Sequence, residues 1–264
     1  MTAAHRSAPF LRLTSDNEAQ IVDRPLAVET PIAIEIDGIG YAVMMATPDA
    51  LEDFATGFCL AERLIETSAQ LLAIEPAEVE RGVLLRLSLV PEIRGRVIER
   101  VRHRISESSC GLCGIENLEQ ALRPLPVVPV PSEPIANAAV FRALAEIRDH
   151  QLLGRATGAV HAAALCDRSG AIRLVREDVG RHNAFDKLTG AMARQGIAWE
   201  GGFALTTARL SYELVEKAAL SLCHTLVAIS APTALAIERA AEAGIRIIAL
   251  ARPDAMLEAW RPSS

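Results

Sequence analysis

Ala171-Ile172-Arg173-Leu174-Val175-Arg176-Glu177-Asp178-Val179-Gly180-Arg181-His182-Asn183 reads as a strand that ends in a polar turn and runs straight into a helix. The apolar run at 171–175 predicts the strand. Apolar positions at helical spacing predict a helix over Asn183 to Met192, with Gly196 placed to stop it. The same alternation continues on both sides. Further strands are predicted at Ala159 to Leu165, Phe203 to Thr207, Leu226 to Ile229 and Ile245 to Leu250. Helices are predicted at Ser211 to Leu222 and at Thr233 to Ala243, which Gly244 ends. Asp167-Arg168-Ser169-Gly170 is short enough for a hairpin, so the sheet is expected to be mixed, with its later strands parallel. This half is therefore an α/β layered unit.

Polar residues gather where these strands end. Glu177, Asp178, Arg181, His182 and Asn183 follow one strand, and Thr206, Thr207, Arg209 and Ser211 follow the next. Ser230, Pro232 and Thr233 follow a third, and Arg252, Pro253 and Asp254 follow the last. In open α/β sheets the carboxyl edge carries the ligand crevice, and helix starts there offer unpaired backbone donors to anions. Taken singly, Ser211, Ser230 and Thr233 are ordinary helix caps. With Arg181, Arg209 and Arg252 beside them they point to a pocket for an anionic ligand. His182, next to Arg181 and Asp178, is read as a pocket residue and His161 as a structural one.

Upstream, Ile32, Ile34 and Ile36 alternate, Asp37-Gly38 breaks the run, and Tyr41, Val43 and Met45 alternate again, which predicts a hairpin. Thr47 is placed to cap a helix with Pro48 in its first turn, and Leu51, Phe54, Ala55, Phe58, Leu64 and Ile65 share one face. Val83, Leu85, Leu87 and Leu89 form a further strand that Pro91 ends. Arg100, Arg102 and Arg104 alternate with Val101, His103 and Ile105, which reads as a strand with one basic face. Five prolines between Pro124 and Pro134 favour extended chain and mark a connector. The division is thus an α+β unit at 1–123, a linker at 124–134 and the α/β unit at 135–264.

Between the basic segment and the linker lies Ser108-Ser109-Cys110-Gly111-Leu112-Cys113-Gly114. Glycines on either side let the backbone turn and leave two thiols uncovered, and nearby arginines favour the reactive thiolate. A CxxC pair fits a thioredoxin-like dithiol, half of a zinc site or a sulfur carrier. The first wants a strand-to-helix junction in a small βαβ core, and the second wants two more ligands that no second CxxC supplies. Cys59, Cys166 and Cys223 fall in apolar elements and are read as buried. The chain has 264 residues, half of them apolar, and a formal charge of −6. That size supports a substantial core, and the acidic balance argues against a general nucleic-acid partner. MTAAHRSAPF holds no signal peptide and no later segment reaches membrane-spanning length without charges, so a cytoplasmic protein is expected.

Thr157 to Leu165 (TGAVHAAAL), Arg176 to Ala191 (REDVGRHNAFDKLTGA), Ser211 to Ala219 (SYELVEKAA) and Ser230 to Gly244 (SAPTALAIERAAEAG), with SSCGLCG, resemble the formate dehydrogenase accessory sulfurtransferase family, FdhD. The likeness runs from about Asp23 to Pro253 and takes in TPDALEDFATGF. It implies a cytidine deaminase-like second unit and a smaller first unit bearing the CxxC loop. It also implies a sulfur carrier in which Cys110, with Cys113 as neighbour, takes persulfide sulfur from an L-cysteine desulfurase. The sulfur would pass to the molybdenum bis(molybdopterin guanine dinucleotide) cofactor destined for formate dehydrogenase, at a site that a guanine nucleotide such as GDP can occupy. A homodimer is implied as well. The family's cofactor-binding stretch usually reads apolar, variable, basic, Pro-Gly-Arg. Here Leu250-Ala251-Arg252-Pro253 matches and Asp254-Ala255 departs. A zinc deaminase would need H-x-E and P-C-x-x-C; neither is present, so no metal site is expected. A second reading, from another class, is a non-catalytic cofactor-binding chaperone whose CxxC is a redox latch.

Overall fold

Residues that alternate in and out along two sheets, and helices that must cover them, produce a layered stack. In the computed structural model, which describes residues 3–106 and 122–259, two sheets lie on either side of a shared helical layer. The first unit opens with an exposed antiparallel hairpin, β1 (His5–Leu13) and β2 (Ala19–Ala27). It then builds a four-stranded sheet from β3 (Thr30–Ile36), β4 (Ile39–Ala46), β5 (Leu71–Val79) and β6 (Gly82–Leu89) in the order β4-β3-β6-β5. The expected β3–β4 hairpin turns on Asp37 and Gly38, both at positive φ, as a two-residue hairpin turn requires.

Ile32, Ile34, Ile36, Val83, Leu85 and Leu87 point to one side of this sheet. There α1 (Leu51–Ala61) covers them with Phe54, Ala55, Phe58 and Cys59. Each large side chain buried here stabilises the fold by about 1.5–3 kcal/mol. The helix begins after Ala50 and not at Thr47. Tertiary bonds have claimed Thr47: its amide donates to Asp178 Oδ2 (3.0 Å), its hydroxyl accepts from the Val179 amide (3.2 Å), and its carbonyl accepts from Lys187 Nζ (3.0 Å).

The arginine-rich segment is a helix, α2 (Arg94–Ser106), and not the expected strand. Ile93, Val97 and Val101 recur every four residues and pack on the first core, so the period is helical despite the local alternation. Arg94 faces Asp37 (3.4 Å), Arg96 faces Glu66 (2.7 Å) and Arg100 faces Glu62 (3.5 Å). These three arginines therefore meet carboxylates in ordinary ion pairs.

The second unit holds α3 (Asn137–His150), α4 (Leu152–Thr157), α5 (Arg181–Gln195), α6 (Tyr212–Leu220) and α7 (Ala234–Ala243). They flank β7 (His161–Cys166), β8 (Ile172–Asp178), β9 (Phe203–Thr206), β10 (Thr225–Ala228), β11 (Arg246–Ala249) and β12 (Leu257–Glu258). The order is β12-β11-β10-β9-β7-β8, with β9, β10 and β11 parallel and β7 antiparallel to both neighbours, the mixed sheet expected from the sequence. Ala163, Leu165, Ala204, Leu226 and Ile247 pack under α5, α6 and α7, while Ala164, Phe203, Leu205, Val227 and Ile248 pack on α3. Gly196 and Gly244 end α5 and α7 in the left-handed conformation, as read. The proline stretch holds no helix or strand and is anchored to this unit where the Val128 amide donates to Ala243 O (2.8 Å). Among the described residues, no helix is long and apolar enough to cross a membrane.

The two sheets are joined through α1 and α5, which cross at two glycines. A Cβ on Gly57 would lie 1.8 Å from Asp186 O, and one on Gly190 would lie 1.9 Å from Asp53 O. Around that crossing Asp53 binds both Arg176 (2.7 Å) and Arg194 (2.5 Å), and the fully buried Lys187 binds Asp178 (2.7 Å) and Asp49 (2.5 Å). Uncompensated charge at such depth costs several kcal/mol, so these pairs fix the register of the two helices.

Candidate functional site

The carboxyl ends of β8, β9, β10 and β11 lie along one edge of the six-stranded sheet. Because β7 runs the other way, its first residue, His161, stands opposite Asp178 on that same edge. Thr207 ties the edge together: the Ala162 amide donates to its hydroxyl (2.9 Å), and its own amide donates to Ala162 O (3.1 Å). Three helices begin here, α5, α6 and α7. Arg181 and His182 occupy the first turn of α5, and Ser211 precedes α6.

Ser211 is placed as a cap, yet its hydroxyl makes no capping bond and lies 3.2 Å from His182 Nε2. Glu213 Oε2 lies 3.3 Å from the same nitrogen. A carboxylate only accepts, so Nε2 carries the imidazole proton and Nδ1 is left as an acceptor. Burial drives the His182 pKa down to about 4; Glu213 pulls upward, while Arg181 and Lys217 push further down. The imidazole is therefore neutral at pH 7. Burial works to raise Glu213, but the Ser211 hydroxyl, His182 and Arg181 hold it below the usual carboxylate range. His161 is lowered by burial and then by Arg181 and Arg209, both of which lie close enough to repel its charged form.

The edge thus gathers Arg181, Arg209, His161, His182 and Ser211, together with the amino ends of α5 and α6. Arg181 buries an Nε that finds no acceptor among the described residues. Guanidinium donors and helix amino termini in one crevice suit a phosphate-bearing ligand, and two neutral imidazoles add hydrogen-bonding groups without opposing charge.

Not every residue picked from the sequence joins this group. Asn183 is buried, and its amide nitrogen donates to Met45 O (2.8 Å) and Asp178 Oδ1 (3.1 Å), tying β4 to α5. Ser230 lies on the edge, with its hydroxyl donating to Thr207 O (3.4 Å). Thr233 is a true cap, accepting from the Ala236 amide (3.2 Å). Leu250 to Ala255 form the turn after β11. Leu250 adopts positive φ, Ala251 is buried, and Arg252, Pro253, Asp254 and Ala255 are exposed. Arg252 donates to the carbonyl of Ile229 at the end of β10, which draws this turn toward the same edge. His161, read as structural, stands among the arginines instead. Only strand pairing reveals this, because an antiparallel strand brings its start to the edge where its neighbours end.

Cys110 and Cys113 lie outside the described residues. Cys59, Cys166 and Cys223 are buried free thiols, as read. Burial pushes all three upward, Cys223 to about 12, which leaves them unreactive.

A model of the FdhD/NarQ family matches residues 27–257. The chain is 42% identical to the sulfur carrier protein FdhD of Variovorax paradoxus over 89% of its own length and 86% of the relative's. It is 45% identical to the protein of that name from Xanthomonas euvesicatoria over 86% and 80%. A crystal structure of a candidate formate dehydrogenase accessory protein from Desulfotalea psychrophila superposes with a TM-score of 0.75 at 22% identity, covering 97% of this chain and 96% of that one. That likeness establishes a shared fold. The family match spans the four-stranded sheet, the six-stranded sheet and its edge cluster: this chain belongs to the FdhD/NarQ family.

Proposed function

We propose that this protein is a cytoplasmic sulfur carrier for formate dehydrogenase maturation. In this reading the Cys110 thiolate attacks the outer sulfur of a persulfide on an L-cysteine desulfurase. The new bond joins Cys110 Sγ to that sulfur, the donor's S–S bond breaks, and the donor cysteine leaves as a thiolate. Cys113 stands three residues on, as partner or second carrier. The second unit, read as a cytidine deaminase-like layer structure without metal chemistry, holds the receiving molybdenum cofactor by its guanine nucleotide arms. The assembly is read as a homodimer.

The observation that carries this reading is the meeting of Arg181, Arg209, His161 and His182 at one sheet edge, beside two helix amino termini. It supports a site for an anionic nucleotide. The names of the sulfur carrier relatives support the transfer itself. The residues present fit the nucleotide arms: Arg181, whose buried Nε is without an acceptor among the described residues, and Arg209 would bind phosphate, and Ser211 and His182 would orient the group. The molybdenum centre supplies the sulfur-accepting chemistry.

Two measurements test the proposal. The protein, incubated with a cysteine desulfurase and cysteine, should carry sulfur adducts on Cys110 or Cys113, with Cys59, Cys166 and Cys223 unmodified; no adduct on either of the first two sinks the carrier reading. Arg181→Gln and Arg209→Gln should each weaken GDP binding about fivefold or more, on the scale of a lost charged hydrogen bond. Replacing both Cys110 and Cys113 by serine separates this reading from a latch-bearing chaperone, which should keep substantial maturation activity.

A further inference from the structure

A second concave site lies at the opposite edge of the six-stranded sheet. The turn from Ile197 to Gly202 leads into β9, and Leu222 to His224 lead into β10, so these residues mark the amino ends of the strands. Between them, the end of α1 and the proline stretch is a cavity of about 830 Å3. That volume falls in the range of about 300–1,000 Å3 usual for small-molecule sites. Its mouth carries exposed apolar side chains, Val130 at 76%, Leu222 at 53% and Ile197 at 39%, with the exposed Glu66 and Glu200 also on its lining. Deeper in, Met192 and Trp199 form the wall, and the Trp199 indole is already satisfied by Ser221 O (2.7 Å).

Three cations reach this cavity, and two are neutralised. Arg96 is held by Glu66 (2.7 Å) and Lys217 by Asp186 (2.6 Å). Arg63 differs. It sits just past α1 at φ 59, a left-handed conformation that L side chains rarely adopt. Its guanidinium donates to the carbonyl of Pro124 (3.0 Å), and its buried Nε has no acceptor among the described residues. Among those residues no carboxylate forms a salt bridge with it, and Glu216 pairs with Arg239 (2.8 Å). Burial lowers its pKa, Glu216 pulls it upward, and Arg100 and Arg239 push it down again. A half-buried cation with no salt bridge among the described residues, at the end of a largely apolar groove, is complementary to a molecule with one acid group and an apolar body.

We propose that this cavity binds a small amphiphilic anion, with its carboxylate, sulfonate or phosphate head on Arg63 and its apolar body along Met192, Trp199 and Leu222. The site is separate from the cluster proposed for the nucleotide. Met192 and Arg181 lie at opposite ends of α5, about 16 Å apart along the helix axis.

Titration of the full-length protein with 8-anilinonaphthalene-1-sulfonate, an apolar aromatic sulfonate, tests the proposal by fluorescence. One saturable site is expected. Arg63→Met should weaken it at least fivefold and Arg63→Lys by less. Leu222→Asp, at an exposed position where folding is not at stake, should weaken it by a similar factor through repulsion at the mouth. GDP should not displace the probe. Absence of saturable binding, variants that bind as tightly as the unmodified protein, or displacement by GDP would each overturn the assignment. If Arg63→Met fails to fold, Leu222→Asp and the GDP competition decide the matter.

Discussion

Replacing Gly190 by alanine tests the helix crossing that joins the two sheets. In an isolated helix the change is favourable by about 1 kcal/mol, because alanine loses less backbone entropy. Here the added Cβ would stand 1.9 Å from Asp53 O and 2.6 Å from the Gly57 nitrogen, where real contacts stay above 3.0 Å. The helices would have to part by about 1 Å, and a gap of that size forfeits a quarter to a half of the dispersion attraction across the interface. Parting also stretches the bonds from Asp53 to Arg176 and Arg194. Overpacking against backbone, which cannot rotate away, sits at or above the upper end of the usual 1–3 kcal/mol. Setting the propensity gain against it leaves a net loss of about 2–3 kcal/mol, or roughly 4–12 °C in Tm. Thermal and urea unfolding measure it. Gly95→Ala is the matched control: it lies in α2 with nothing within 4 Å of its added Cβ, so it should be neutral or stabilising by up to about 1 kcal/mol. The reasoning is refuted if Gly190→Ala is as stable as the unmodified chain, or if the two substitutions have the same sign.

Two further outcomes follow from the buried groups. Lys187→Met should cost about 3–5 kcal/mol in denaturant unfolding, because it strands the buried Asp178 carboxylate. Adding Asp178→Asn should recover part of that loss, and a double variant weaker than the single one would contradict this account. For His182, the folded pKa of about 4 lies below the ordinary histidine value of 6.5, so the unfolded chain takes up the proton first as pH falls. Its contribution to stability is therefore full above about pH 6.5 and is lost as pH drops toward 4. An imidazole NMR titration should show a midpoint near 4, lowered further in Glu213→Gln, and a midpoint at or above 6 would contradict the burial argument.

The sequence by itself determined the second unit's architecture, because apolar period and turn residues are local. Gly196, Gly244 and the 167–170 turn mark boundaries that need no distant partner. It also placed Arg181, Arg209 and Ser211 at strand ends, and so most of the edge cluster, since strand direction follows once the βα alternation is read. The local signal misled where two periods coexist: in Arg94 to Ser106 the charges alternate while Val97 and Val101 keep a four-residue spacing, and the first core selects the helix. Thr47 and Asn183 carry the marks of a cap and a ligand-binding amide, but partners more than 130 residues away claim both. Only the tertiary structure decided that His161 faces the arginines, that Ser211 turns from its helix to His182, and that two glycines let α1 and α5 meet. Each of these depends on which chains lie side by side, and that is fixed by the packing of residues far apart in sequence.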